Sequence, residues 1–199
     1  MTGVPSQAKR AAILKAATEA FLHSGYAVSV DEIAATAGVG KQTVYRHFGD
    51  KQSLFLAAVA AARARTAPDA PAPPANDDPA TALTWLGEHI LDAALSPTVA
   101  ALHRLTIAEI GNHPELSAHW SDGTEPFVDE HVTAFLRHFD EAGLLSVPDP
   151  AHAARQFAYL LVTEGRMATA YGTRHLAPTR RHSIAAETAD LIVRAHRRA

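Results

Sequence analysis

The sequence contains no cysteine, which excludes a disulfide framework and any metal site built from thiolates. It also lacks a long apolar run, since none approaches the roughly 18 consecutive residues that cross a membrane. The amino terminus carries Lys9 and Arg10 inside its apolar pattern and has no hydrophobic block typical of an export signal. Together these absences predict a cytoplasmic protein with no membrane partner.

The residues that are present suit a globular chain with an uneven distribution of charge. The 199 residues are 47% apolar and 20% charged, enough for one large or two small domains. Residues 1–65 hold eight Lys and Arg against four Asp and Glu, a net +4, whereas residues 66–199 hold ten against seventeen, a net −7. This asymmetry predicts that the first part of the chain meets a polyanion and that the second does not.

The spacing of apolar residues, caps and helix breakers predicts an all-α chain. In the first part, Ser29 and Glu32 have the spacing of a capping box, and Gly38 ends the helix that begins at Ser29. Asp50 caps the helix that begins at Lys51. Two short helices separated by a glycine turn form a helix-turn-helix pattern. The predicted helices here span about residues 6–24, 29–38, 40–48 and 51–65.

A segment with four prolines, residues 66–78, predicts a linker between two domains. It separates the helix-turn-helix domain, residues 1–65, from a second helical domain, residues 79–199. In the second domain, Asp78 before Pro79 and Ser96 before Pro97 each predict a helix start with a side-chain cap. The predicted helices span about residues 79–95 and 97–111, then one ending at Gly143, then 150–171 and 179–197. No strand or internal repeat is predicted.

The third helix has two opposite faces when its residues are placed on a helical wheel. Val44 and Phe48 point toward a core, and Gln42 and Arg46 point directly away from it. Arginine can bind guanine through two hydrogen bonds, and glutamine can bind adenine in the same way. The flanking groups suit phosphate oxygens, and Lys51 in the next helix is placed to reach the same backbone. This pattern predicts a recognition helix in the DNA major groove, flanked by Lys41, Thr43, Tyr45 and His47.

The stretch VDEIAATAGVGKQTVYRHFGDKQSLF, residues 30–55, resembles the helix-turn-helix of TetR-type transcriptional regulators. The resemblance is specific over about residues 8–60. It implies an all-α homodimer whose amino-terminal domain binds palindromic, double-stranded operator DNA. It also implies that the second domain, residues 79–199, binds a small-molecule effector and forms the dimer interface.

Carried over position by position, the resemblance assigns one base-reading residue and six phosphate-contacting residues. Gln42 matches the base-reading position. Gly40 departs from the pattern, because the family usually has serine or threonine there, so a capping hydroxyl is absent although glycine is a tolerated N-cap. The phosphate-contacting positions are Ser29, Lys41, Thr43, Tyr45, His47 and Lys51.

Beyond residue 60 the resemblance concerns architecture alone. The fifth to eighth helices supply aromatic residues and a few polar groups, a mixture suited to an apolar cavity with polar anchors. The predicted effector-binding residues are Trp85, His103, Glu109, Phe127 and Met167. The last two helices carry more apolar surface than one core-facing stripe needs, which predicts a dimer interface there. Its predicted residues are Phe157, Leu160, Leu161, Ala168, Ile184, Leu191, Ile192 and Ala195.

Nothing in the sequence predicts an enzyme. There is no HExxH or GxSxG motif, the twelve histidines lack metal-ligand spacing, and no catalytic residue, metal or cofactor is predicted. The leading hypothesis is a ligand-responsive repressor. Two alternatives stay open: a helical metal-dependent enzyme or small-molecule carrier with an incidental helix-turn-helix, and a regulator controlled without a small ligand.

Overall fold

The structure, a computed structural model, confirms the predicted all-α fold. It describes residues 3–66, 78–114, 116 and 126–198, so nearly all of the predicted linker lies outside the described residues. The described residues form nine helices: α1 (Gly3–Ser24), α2 (Val30–Thr36), α3 (Lys41–Phe48), α4 (Lys51–Thr66), α5 (Pro79–Ala94), α6 (Pro97–Glu109), α7 (Pro126–Glu141), α8 (Pro150–Ala168) and α9 (Pro178–Ala195).

Side-chain caps begin several of these helices where the sequence predicts them. Asp78 accepts a hydrogen bond from the Thr81 amide at 3.0 Å, directly before α5. Asp50 accepts one from the Ser53 amide at 2.6 Å, which lowers the pKa of the Asp50 carboxyl group. The predicted cap at Ser96 is wrong, because its hydroxyl oxygen is buried without a hydrogen-bond partner. Proline at the first helical position therefore marks the start of α6 without help from that side chain.

The eighth helix ends three residues earlier than the sequence predicts. Ala170 and Tyr171 have positive φ angles of 48° and 58°, a left-handed conformation that cannot continue the helix. The Thr169 hydroxyl donates to the Gly165 carbonyl at 2.9 Å and accepts from the Gly172 amide at 2.9 Å. This local hydrogen bonding supports a turn that apolar periodicity does not reveal.

The described residues pack as two compact units, and the first comprises residues 1–65 with residues 98–121. Its centre contains an aromatic cluster in which the Phe55 ring lies 5.0 Å from Phe21 and 5.2 Å from Tyr26, both edge to face. Val99 and Leu102 of α6 belong to the same core. Helix α6 thus packs with the helix-turn-helix, although the sequence-based boundary assigns it to the second domain.

The second unit comprises the described residues within 66–97 and 122–199. In it α5 packs against α9, α7 packs against α8, and α8 also contacts α5 and α9. The close approach of α5 to α8 and α9 depends on Gly87, because a Cβ added there would lie 3.2 Å from both Ala185 Cβ and Phe157 Cζ. A larger side chain at that position would therefore require these neighbours to shift.

The apolar residues of α8 and α9 divide into a core set and an exposed set. Phe157, Leu161, Ile184 and Ile192 are buried inside the second unit itself, so the prediction that they form a subunit interface is wrong. They occupy the stripe of each helix that faces the unit's own core. Leu160 and Leu191 are 49% and 56% exposed, and the predicted residues Ala168 and Ala195 are exposed as well.

Candidate nucleic-acid interface

Helix α3 presents a polar face because its apolar side chains anchor it in the core of the first unit. Val44 is 1% and Phe48 9% exposed, and both belong to that core. Gln42 and Arg46 are exposed, as the helical wheel predicts. They are four residues apart in the helix, so they lie on one face about one turn from each other. Together they offer an amide and a guanidinium to a partner.

The turn before α3 depends on two glycines that act in different ways. Gly38 has a φ of 67°, and the Val39 amide donates to the Ala34 carbonyl at 3.0 Å while the Gly38 amide donates to Ala35 at 3.1 Å. These two bonds form a Schellman motif, which ends α2. Gly40 is the N-cap of α3 in an extended conformation and makes no side-chain cap, as the sequence implies. The turn thus fixes the direction in which α3 leaves α2.

Ser29 caps α2 and does not sit on α3. Its hydroxyl accepts a hydrogen bond from the Glu32 amide at 3.1 Å, and the Ser29 amide donates to the Glu32 carboxylate at 3.1 Å. This is the predicted capping box. Ser29 is exposed, so its hydroxyl remains accessible at the start of α2. Its predicted contact with phosphate stays a prediction.

Lys41 already has a carboxylate partner within the helix-turn-helix. Its ammonium donates to the Asp31 carboxylate at 2.7 Å, joining the first turn of α3 to the first turn of α2. The hydrogen bond and the charge of Asp31 raise the pKa of Lys41, so the side chain stays cationic. Both groups are well exposed, and such pairs exchange partners at little cost. Lys41 is therefore a cation that a phosphate can recruit.

The remaining predicted contacts surround the exposed pair on α3. Tyr45 is 39% exposed, and Thr43 and His47 are half-buried. Sequence reasoning missed Arg10, whose guanidinium carbon lies 5.1 Å from the centroid of the Phe48 ring. This contact brings a cation of α1 beside α3. No spacing rule links positions 10 and 48, and the positive charge of residues 1–65 is the one available signal.

Lys51 lies in an open cleft of about 500 Å³ within the first unit. Its ammonium is 4.7 Å from the centroid of the Tyr26 ring. Burial lowers the pKa of Lys51, and the negative charge of Glu109 opposes that effect. The sequence predicts Lys51 at the DNA backbone but gives no sign of this environment. The cleft is lined by Tyr26, Ala27, Asp50, Lys51, Gln52, Glu109 and His113.

The predicted effector residues are distributed over both units. His103 is buried and Glu109 half-buried in the first unit. In the second unit the Trp85 ring lies 4.3 Å from the His89 ring, and Met167 is 55% exposed. The side chain of Phe127 lies outside the described residues. Glu109 lines the cleft around Lys51, and the assignment of all five residues to an effector site stays a prediction.

Residues 3–66, 78–114, 116 and 126–198 contain no group of three or more His, Asp or Glu placed to hold a metal ion. None of the helices described there is both long enough and apolar enough to cross a membrane.

Two family models match the chain, one on each side of the proline-rich segment. Residues 13–58 match the model described as bacterial regulatory proteins of the tetR family. Residues 81–198 match the carboxy-terminal domain of AefR-like transcriptional repressors. The second match alone spans more than half of the chain.

Individual relatives agree with these matches. The HTH-type transcriptional activator FasR of Mycolicibacterium smegmatis (strain ATCC 700084 / mc(2)155) is 46% identical over 55 residues, which is 27% of this chain and 25% of the length of that relative. The flavonoid-responsive regulator FrrA is similar in structure, with a TM-score of 0.76 and 27% identity over 96% of this chain and 98% of that one.

A TetR-family transcriptional regulator from Mesorhizobium loti MAFF303099 shares the fold, with a TM-score of 0.77 and 24% identity. The similarity covers 97% of this chain and 98% of that one. Since the fold is shared along nearly the whole length and the two family models cover both parts, the chain belongs to the TetR family of bacterial regulatory proteins.

Proposed function

We propose that the chain is a DNA-binding transcriptional repressor that acts as a homodimer on a palindromic operator. The observation that carries this proposal is the exposed pair Gln42 and Arg46 on α3, held outward by the buried Val44 and Phe48. The proposal includes no catalytic residue, metal or cofactor. It places the protein in the cytoplasm, where bacterial DNA is accessible.

The chemistry of α3 suits both parts of DNA recognition. Arg46 can donate two hydrogen bonds to guanine, and Gln42 can exchange two with adenine in the major groove. Groups around them, including Lys41 and Tyr45, suit the phosphate backbone, which contributes affinity without reading sequence. The net charge of +4 on residues 1–65 has the sign that this backbone requires.

A homodimer explains both the exposed apolar residues and the expected symmetry of the operator. Tyr159, Leu160 and Met167 on α8 and Leu191 on α9 are each about half exposed, more apolar surface than a solvated face needs. A second copy that covers them would make a twofold interface. Twofold symmetry presents two copies of α3 and therefore selects an inverted repeat in DNA.

We propose repression as the direction of regulation because the match to the repressor model is the longer one. The AefR-like repressor model spans residues 81–198, whereas the match to the activator FasR is confined to 55 residues. If a repressor occupies its operator without a ligand, a ligand ends repression only by lowering the affinity for the operator. This requires the ligand to prefer the form that does not bind DNA.

We propose that a small, mostly apolar ligand supplies this control. FrrA, which is 27% identical along nearly the whole chain, is a flavonoid-responsive regulator, so flavonoids are the first compounds to test. Trp85 is a half-buried aromatic residue in the second unit and a suitable reporter. A coupling free energy of about 1 to 3 kcal/mol would change operator affinity by roughly 5- to 150-fold.

Titration with flavonoids should therefore quench tryptophan fluorescence and weaken operator binding over the same concentration range. The measurement is fluorescence and DNA anisotropy on one sample series, with Trp120→Phe, which leaves Trp85 as the one tryptophan of the sequence, to assign the quenching to Trp85. Ligands that quench fluorescence but leave operator affinity unchanged would contradict ligand control and leave DNA binding intact.

The experiment that tests DNA recognition compares substitutions on and off α3. Gln42→Ala and Arg46→Ala should each reduce binding to the preferred duplex by about 1 to 3 kcal/mol and relax its base preference. Lys15→Ala, which removes an exposed cation of α1 in the same unit, is the matched control and should leave base preference unchanged. Equal losses on preferred and random duplexes for the two α3 variants would contradict their role in reading bases.

A further inference from the structure

The cleft around Lys51 brings together parts of the first unit that are distant in sequence. Tyr26 follows α1, Lys51 begins α4, and Glu109 ends α6. Asp50 also lines the cleft, but its carboxylate is already bonded to the Ser53 amide at 2.6 Å. His113 packs edge to face on Tyr26 with ring centroids 4.6 Å apart. Glu109 is the other carboxylate that lines the cleft, and its charge acts on the ammonium of Lys51.

Two attractions act on Lys51 within the cleft. Its ammonium lies over the Tyr26 ring, where an aromatic face attracts a cation, and the charge of Glu109 favours its cationic form. Both attractions favour the cleft position of the ammonium. A phosphate contact that draws the ammonium away from the cleft must therefore offset them.

We propose that Glu109 competes with operator phosphate for Lys51, so that the carboxyl end of α6 restrains DNA binding by α4. This inference rests on the proposed function, because the competitor is a phosphate of bound DNA. The effect acts on backbone affinity and not on base choice, since phosphates carry no sequence information. Glu109 ends α6 and Lys51 begins α4, so the strength of the restraint depends on how the core of the first unit holds these two helix ends.

Replacing Glu109 with glutamine tests the competition, because it removes the charge while keeping the size of the side chain. Glu109→Gln should bind preferred and random duplexes about two- to fivefold more tightly than the wild type at low salt, the range expected for a partly exposed charge pair. Glu19→Gln removes a carboxylate of α1 in the same unit that does not line the cleft. It measures the gain that comes merely from a lower negative charge.

The same substitution in a Lys51→Ala background isolates the pair. If Lys51 mediates the effect, Glu109→Gln should there produce no more gain than Glu19→Gln. A gain equal to that control in the wild-type background, or a gain that persists without Lys51, would overturn the competition while leaving DNA binding established. Failure of the wild type to bind any preferred duplex would overturn the proposed function and this inference together.

A second measurement needs no DNA. The Lys51 ammonium should titrate at a lower pH in Glu109→Gln than in the wild type, because the group that favours its charged form is lost. Nuclear magnetic resonance of the lysine side chains measures this directly, with circular dichroism to show that the variant is folded. An unchanged Lys51 titration in a folded variant would overturn the coupling on which the competition depends.

Discussion

Lys41 and Lys51 are cations of the candidate interface that already interact with other groups of the same chain. Lys41 bonds to Asp31 at 2.7 Å, and Lys51 lies over Tyr26 with Glu109 nearby. Their proximity to the interface could be predicted, because they begin α3 and α4. The influence of Glu109 on Lys51 could not be predicted, since Glu109 lies on a helix that the sequence assigns to another domain. A residue type predicts what a side chain can bind, whereas packing decides what it binds first.

The backbone conformation of Gly38 predicts how a substitution there changes the stability of the protein. Its φ of 67° lies in the left-handed region, while no heavy atom lies within 4 Å of a Cβ added there. Gly38→Ala should therefore lower the free energy of unfolding by about 1 to 2 kcal/mol through backbone strain alone. The matched control is Gly111→Ala in the same unit, where a Cβ has equal space and φ is not left-handed. Chemical denaturation measures both, and equal losses would contradict a role for backbone strain.

Among the elements, α3 was predictable together with its orientation, whereas α6 was predictable as a helix but not in the unit that it joins. The spacing of Val44 and Phe48 leaves one way to bury an eight-residue helix, so the exposure of Gln42 and Arg46 follows. Helix α6 joins the first unit through Val99 and Leu102, and periodicity cannot reveal which core an apolar stripe enters. The same limit applies to the aromatic and polar residues along α5 to α8, whose assignment to an effector cavity stays a prediction.

Helix α9 contains a residue, Leu191, that tests the proposed dimer. Leu191 is 56% exposed, and a glutamate placed there would be an unpaired charge within the proposed dimer interface. Leu191→Glu should weaken the dimer by roughly 3 kcal/mol or more, enough to give monomers at micromolar concentration. Sedimentation velocity measures the assembly. Leu144→Glu, at a leucine 41% exposed after α7, is the matched control and should remain dimeric. A wild-type protein that sediments as a monomer would contradict the interface.

For the whole molecule, the distribution of charge and the distribution of exposed apolar residues suggest a division of tasks. The net charge of +4 on residues 1–65 favours a polyanion, and the net charge of −7 on residues 66–199 repels one. The exposed residues Leu160 and Leu191 belong to the second unit. In the proposed regulator the first unit contacts DNA, and the second joins two copies of the chain.

The most direct test of this account is selection of binding sequences from random duplex DNA by the full chain. We expect enrichment of an inverted repeat whose half-sites are about 10 base pairs apart, or a multiple of that spacing, because a twofold dimer presents two copies of α3. The variant carrying both Gln42→Ala and Arg46→Ala should lose this preference while retaining salt-sensitive binding to any duplex. No enrichment by the wild type, or enrichment of the same repeat by that variant, would contradict sequence recognition by α3.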